Sequence, residues 1–121
     1  MPKVLIVEDE PNIAESLRFL MTREGFEVTL EPNGANAMAK LAEQGPFDVV
    51  VLDVMLPNRS GFDILRDLRL GAHASLPVLM LTAKGQTQDK KTALDLGVSE
   101  FMTKPFSNAE VVDTVKRLAQ A

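Results

Sequence analysis

Residues 49–61 read VVVLDVMLPNRSG, and this stretch decides the fold. Residues 49–52 are apolar at every position, and the run then ends in a single aspartate, Asp53. Such a run is typical of a strand covered on both faces of a parallel sheet. Four further short apolar runs lie at residues 4–7, 26–30, 78–81 and 101–102. We therefore predict five strands, with residues 26–30 at or near an edge because apolar and polar residues alternate there.

Amphipathic helix patterns separate these runs. Pro11 suits a first helical turn, Ser107 with Glu110 resembles a capping box, and glycines mark several helix ends. Strand–helix alternation repeated five times predicts one α/β domain over residues 1–121, a single doubly wound five-stranded parallel sheet with right-handed crossovers. The predicted apolar stripes are Ile13, Leu17, Leu20 and Met21; Met38, Leu41 and Ala42; Ile64, Leu65 and Leu68; Ala93, Leu94 and Leu96; and Val111, Val115 and Leu118.

Composition excludes several classes of protein. The 121 residues carry 13 Lys and Arg against 17 Asp and Glu, a net charge of −4, which argues against direct nucleic-acid binding by this chain. The absence of cysteine removes disulfides and thiolate metal sites. The apolar runs are too short to span a membrane, and the first residues do not resemble a signal peptide. We therefore predict a cytoplasmic protein without membrane contact.

Polar side chains follow four of the predicted strands. Glu8 and Asp9 follow the first, Asp53 the third, Thr82 the fourth, and Lys104 the fifth. Because ligands of doubly wound folds bind beyond the carboxyl ends of the strands, these residues should converge at one edge of the sheet. Two carboxylates about 4 Å apart repel by about 4 kcal/mol at an effective dielectric near 20, so the cluster must hold a proton, a cation or both. Oxygen ligands favour a hard cation, and we predict Mg²⁺.

A metal, the Lys104 ammonium and the Thr82 hydroxyl around Asp53 suit a phosphoryl group, whose charge spreads over three oxygens. Asp53 is then a candidate nucleophile that forms an aspartyl-phosphate. The plainer interpretation is that these acids are helix caps and solvated loop residues, which are common at such positions. The turn at residues 8–11 (EDEP) is not glycine-rich, so dinucleotide and P-loop sites are disfavoured, and His73, the single histidine, permits no Ser-His-Asp triad.

Four motifs taken together resemble a known family. Residues 7–10 (VEDE), 52–61 (LDVMLPNRSG), 81–83 (LTA) and 103–106 (TKPF) are similar to the CheY-like receiver domains of bacterial two-component response regulators. The resemblance covers residues 3 to about 118. It implies a flavodoxin-like sheet with strand order 2-1-3-4-5.

The resemblance also implies roles for the acidic residues. Asp53 would be the phosphoacceptor, which takes a phosphoryl group from a sensor histidine kinase or a phosphotransfer protein. Glu8 and Asp9 would hold Mg²⁺ together with Asp53 and the backbone carbonyl of Met55. The pair is Glu-Asp where Asp-Asp is also common in the family.

Three further residues take roles from the resemblance. Thr82 and Lys104 would bind phosphoryl oxygens, and Phe101 would be the aromatic switch that turns inward as Thr82 moves. The Lys104–Pro105 bond is expected to be cis. Ser99 and Glu100 stand before Phe101 where the family often has two aspartates.

The predicted function is therefore a phosphorylation switch that catalyses only its own phosphorylation and dephosphorylation. A Mg²⁺-dependent phosphatase of the aspartyl-phosphate type is an alternative, but it would resemble D-x-D, and Met55 stands at the second position. A docking-only receiver is another, and it would lack Asp53 or Lys104.

The signal is expected to leave through helix four, strand five and helix five. This surface would be recognised by a downstream protein target or output domain, or by a second copy of the chain in a phosphorylation-dependent homodimer. Ser99 and Thr114 replace charged residues that a DNA-binding branch of the family often uses for dimerisation. The polar run 86–91 predicts a marginally stable, movable start of helix four.

Overall fold

A single five-stranded parallel sheet forms the centre of the protein. The computed structural model describes residues 1–83 and 87–120. Its strands are β1 (Lys3–Val7), β2 (Glu27–Glu31), β3 (Val49–Asp53), β4 (Val78–Ala83) and β5 (Glu100–Lys104). Their order is β2-β1-β3-β4-β5 and every neighbouring pair is parallel. The predicted α/β class, strand order and edge position of the second strand are confirmed.

Within the described residues, five α-helices follow the strands in turn and cover both faces of the sheet. They are α1 (Pro11–Arg23), α2 (Ala37–Gln44), α3 (Gly61–Leu70), α4 (Thr87–Asp95) and α5 (Asn108–Ala119). Polar side chains cap the N-termini of several helices, because the first backbone amides of a helix lack intrahelical hydrogen-bond partners. The Ser107 hydroxyl accepts a hydrogen bond from the Glu110 amide, as the capping pattern predicts, and Ser60 does the same for Asp63.

The hydrophobic core has two layers, one on each face of the sheet. Alternate residues of β1 enter opposite layers, Val4 and Ile6 with α1 and α5, and Leu5 and Val7 with α2 and α3. Residues 49–52 divide in the same way, and all four are buried. This double burial explains why the central strands are apolar at every position.

Two predicted apolar stripes differ from the structure. Leu94 is 57% exposed, whereas its neighbour Ala93 is fully buried. Adjacent helical positions point about 100° apart, and in α4 the buried face is centred on Ala93, which leaves Leu94 directed toward solvent. Ala42 is likewise exposed while Leu41 is buried. The polar run predicted at 86–91 is helical from Thr87 onwards, and Gln86 lies outside the described residues.

Two glycines allow loops to approach the end of β3. A Cβ atom on Gly61 would overlap the carbonyl oxygen of Asp53, and a Cβ atom on Gly34 would overlap the carbonyl oxygen of Arg59. The Gly61 amide also donates to the Val54 carbonyl, and the Gly34 amide donates to that of Pro57. The loop at residues 54–60, which carries Met55, is therefore held from both sides.

No helix within the described residues 1–83 and 87–120 is long and apolar enough to cross a membrane.

Candidate functional site

Three carboxylates meet at the carboxyl ends of β1 and β3. These strands are neighbours, with Val7 opposite Leu52 in register, so the next residues, Glu8 and Asp53, lie side by side. Oxygen atoms of Glu8, Asp9 and Asp53 all lie within 4.8 Å of one another. Glu8 and Asp53 are buried, and Asp9 is exposed. The sequence prediction that these acids converge is confirmed by this geometry.

Lys104 lies between the two buried carboxylates. Its ammonium nitrogen is 2.8 Å from Glu8 Oε1 and 3.2 Å from Asp53 Oδ1. Burial by itself would lower the pKa of Lys104, but the hydrogen bond to Glu8 and the charges of Asp53 and Glu8 outweigh it and raise that pKa above its usual value. Lys104 therefore stays protonated and serves as the counter-ion of both acids. The predicted cis bond between Lys104 and Pro105 is present.

The carboxyl group of Asp53 has a raised pKa. Burial is the largest cause, and the charge of Glu8 adds to it, so that the pKa of Asp53 rises from 3.8 to about 6 even though Lys104 acts in the opposite direction. A strongly perturbed carboxyl in a polar cluster is a frequent property of functional sites. At neutral pH Asp53 is ionised, but only by a small margin.

The cluster fits a divalent cation. Three carboxylates and one ammonium leave two negative charges when all four groups are ionised. Glu8 Oε2 accepts a hydrogen bond from the Glu10 amide, and the buried Glu8 Oε1 lies 2.8 Å from the Lys104 ammonium. An all-oxygen donor set of this kind suits a hard cation such as Mg²⁺.

Thr82 lies at the end of β4, but its hydroxyl faces an acid that the sequence analysis did not identify. Thr82 Oγ1 donates a hydrogen bond of 2.7 Å to Asp89 Oδ2, in the first turn of α4. Thr82 is 1% exposed. Thr82 and Asp89 lie on different elements, β4 and α4, so the periodicity of neither element could have shown that their side chains meet.

Phe101 is half-buried on β5 and packs against the layer that contains Ala93 of α4. In register it lies opposite Met80, two residues before Thr82. Because alternate residues of a strand share a face, Thr82 and Phe101 lie on the same side of the sheet, the side of α4. The structure thus places these two predicted switch residues beside the same helix.

A groove of about 470 Å³ opens next to Lys104. Asn12 and Ser16 of α1 line one side, and Pro105 and Phe106 of the loop after β5 line the other. Lys104 is the residue of the site that lines this groove, whose surface is otherwise mostly apolar.

The flavodoxin-like sheet, with three acidic residues and one lysine at the carboxyl ends of its strands, places the chain among α/β proteins with an acidic site at that edge, a site that could hold a cation. The family described as response regulator receiver domain matches residues 4–116. The chain belongs to this family, and it is a receiver domain of two-component signal transduction.

A curated relative is the sensory transduction protein RegX3 of Mycolicibacterium smegmatis. It is 43% identical over 116 residues, which make up 96% of this chain and 50% of that protein. The chain spans about half the length of the curated relatives it matches.

Solved structures agree with the fold. The receiver domain of a Francisella response regulator has a TM-score of 0.90 at 32% identity, with 99% of this chain and 98% of that chain covered. The receiver domain of a sensor histidine kinase from Pseudomonas aeruginosa has a TM-score of 0.88 at 27% identity, with 99% and 98% covered. The latter was crystallised with a magnesium ion coordinated in its active site cleft.

Proposed function

We propose that Asp53 accepts a phosphoryl group from a sensor histidine kinase or a phosphotransfer protein, in a reaction that depends on Mg²⁺. The observation that supports this most is the position of Asp53. It ends the central strand β3, it is buried, and it lies 3.2 Å from the Lys104 ammonium within the acidic cluster. Glu8 is also buried and close to Lys104, but Asp53 is the carboxylate that ends the central strand β3, and the adjacent ammonium favours transfer of an anionic group to it.

In the proposed reaction a carboxylate oxygen of Asp53 attacks phosphorus. The phosphorus–nitrogen bond of the donor phosphohistidine breaks, the imidazole takes a proton from solvent, and an acyl phosphate forms on Asp53. The attacking carboxyl must be ionised. With a pKa of about 6 it is ionised at neutral pH, and its burial leaves it less solvated than a surface aspartate.

The neighbouring residues have separate roles in this proposal. Lys104 pairs with Asp53 before the reaction and would bind a phosphoryl oxygen after it, while Thr82 would donate its hydroxyl to another. Glu8, Asp9, Asp53 and the Met55 carbonyl would hold Mg²⁺. A bound cation would neutralise part of the negative charge of the phosphoryl group.

We further propose that the chain turns over no free substrate and catalyses only its own phosphorylation and dephosphorylation. A phosphatase of the aspartyl-phosphate type would need a second aspartate at position 55, where Met55 has a 73% exposed side chain. A docking-only receiver would lack the Asp53–Lys104 pair, which is intact.

The proposed output is a change in the surface formed by α4, β5 and α5. Thr82 would move toward the phosphoryl group, and Phe101, half-buried beside α4, would fill the space that it leaves. A downstream protein or output domain would read this surface, without nucleic-acid contact by this chain. A homodimer through the same face is the second option, although Thr114 is buried and the Ser99 hydroxyl already accepts hydrogen bonds from the Val78 amide and the Arg69 guanidinium.

The cysteine-free composition suits the cytoplasm, which we propose as the compartment.

The test is phosphorylation by acetyl phosphate in the presence of Mg²⁺, read as intact mass. Wild-type protein should gain one phosphoryl group, Asp53→Asn none, and Asp113→Asn, which changes an exposed aspartate of α5, as much as wild type. Wild-type protein without added mass, or equal labelling of Asp53→Asn, would disprove the proposal.

A further inference from the structure

The hydrogen bond between Thr82 and Asp89 joins the site to α4. Thr82 Oγ1 donates to Asp89 Oδ2 at 2.7 Å, a short bond to a charged acceptor. Bonds of this type are roughly twice as strong as bonds between neutral groups. The Thr82 side chain is buried, so water competes poorly for its hydroxyl.

A threonine hydroxyl has one hydrogen and can donate to one acceptor at a time. In the proposed function that acceptor is a phosphoryl oxygen on Asp53, whereas in this structure it is Asp89. Threonine is branched at Cβ and occupies a small number of discrete rotamers. The two hydrogen bonds therefore exclude each other and define two separate states.

The other contacts that hold α4 against the protein lie mainly toward its C-terminal end. Among the α4 side chains that the structure describes, residues 88–95, Ala93 is the one that is buried. Beyond the helix, Arg69 donates to the Gly97 carbonyl at 2.8 Å, and the Val98 amide donates to the Ala93 carbonyl. The bond from Thr82 is thus a specific polar link between the sheet and the first turn of α4.

We infer that Asp89 is a positioning residue, which holds the Thr82 hydroxyl at α4 and makes a phosphoryl group on Asp53 compete for it. Loss of the Thr82–Asp89 bond on phosphorylation then releases the start of α4. This inference rests on the proposed function and names the contact by which the site regulates α4. It predicts that Asp89 opposes the phosphorylated state, although it lies outside the acidic cluster.

The test is titration with beryllofluoride, a mimic of the aspartyl-phosphate, at saturating Mg²⁺, followed by backbone NMR. Asp89→Ala should bind the mimic about tenfold more tightly than wild type, since a bond to a charged group contributes on the order of 1.4 kcal/mol or more. Asp89→Asn keeps a neutral acceptor and should fall between the two. Asp95→Asn removes an exposed carboxylate from the same helix and should match wild type.

Removing a negative charge could also tighten anion binding through space, and salt separates the two causes. At 0.5 M NaCl a through-space effect is largely screened, whereas a direct hydrogen bond is not. The gain in Asp89→Ala should therefore persist. Equal affinities for Asp89→Ala and Asp89→Asn, or a gain that salt abolishes, would overturn the inference.

A readout in the unliganded protein keeps this test separate from the proposed function. The Thr82 hydroxyl proton should exchange slowly in wild type and rapidly in Asp89→Ala, and equal exchange in both would overturn the inference. Binding of the mimic to wild type but not to Asp53→Asn supports the proposed function whatever Asp89→Ala shows. Failure of wild type to bind it would overturn the proposed function and this inference together.

Discussion

The Lys104 ammonium lies 3.2 Å from the Asp53 carboxylate, although β4 separates the strands that carry them. The same nitrogen is 2.8 Å from Glu8, so one cation serves two buried acids on neighbouring strands. The proposed phosphoacceptor is thus already paired with the group that would bind its phosphoryl oxygens. A phosphoryl group on Asp53 would compete with Glu8 for this ammonium, which would link the chemistry of the site to the strand that ends in Lys104.

Replacement of Asp53 by asparagine should stabilise the metal-free protein at neutral pH. Since burial raises the pKa of Asp53 to about 6, the folded state holds this proton more tightly than the unfolded chain does, and ionisation of Asp53 reduces stability. The gain in Asp53→Asn should be small near pH 4, grow as pH rises, and level off at about 3 kcal/mol above pH 6, because the pKa rises from 3.8 to about 6 and each pKa unit is worth about 1.4 kcal/mol. Denaturant unfolding of both proteins across this pH range measures it. A gain that is the same at pH 4 and pH 7.5 would contradict the raised pKa.

Replacement of Asp9 by asparagine should weaken Mg²⁺ binding by about tenfold or more, or about 1.4 kcal/mol. Asp9 belongs to the group of carboxylates whose oxygens lie within 4.8 Å of one another, but it is exposed, so the fold should not depend on it. Stability without metal should stay equal or rise, because one like charge is removed. Calorimetric titration with Mg²⁺ measures the affinity, with Asp95→Asn as the control for net charge. Unchanged affinity would exclude Asp9 from the ligand set.

Replacement of Lys104 by methionine should leave the protein folded but unable to respond to phosphorylation. Methionine keeps an apolar chain of similar length and removes the charge that Glu8 and Asp53 share. The metal-free variant should lose about 1–3 kcal/mol of stability, as expected when a partner of buried charges is removed. Mg²⁺ should restore more stability to this variant than to wild type. A normal NMR response to beryllofluoride in Lys104→Met would show that the role proposed for Lys104 is wrong.

Addition of beryllofluoride with Mg²⁺ should change the backbone chemical shifts of α4, β5 and α5 as well as those of the acidic cluster. The expected route runs from Thr82 to Phe101, which share one face of the sheet beside α4. To move the ratio of active to inactive conformations from 1:99 to 99:1, the phosphoryl group would have to stabilise the active conformation by about 5.5 kcal/mol. Because this is a large demand on one group, we expect a partial shift that a partner completes. Shifts in the far half of α1, at residues 17–23, should stay small. Changes confined to residues near Asp53 would contradict this route.

The amino-acid sequence by itself determined the fold class and most of the candidate site. Continuous apolar runs such as residues 49–52 predict parallel strands, because only strands covered on both faces bury every side chain. The acids and the lysine could be assigned to one edge, since the carboxyl ends of parallel strands coincide there. The strand order came from the resemblance to receiver domains, and the structure confirmed it.

Tertiary structure alone decided which of these groups touch. The sequence put Lys104 near a future phosphoryl group, whereas register and strand order place it between Glu8 and Asp53. It gave no sign that Asp89 accepts the hydroxyl of Thr82, nor that Leu94 faces solvent. Local periodicity reports whether a position faces inward or outward on its own element. A hydrogen bond between two elements depends on where a loop delivers the next helix, and that position is settled only by packing of the whole chain.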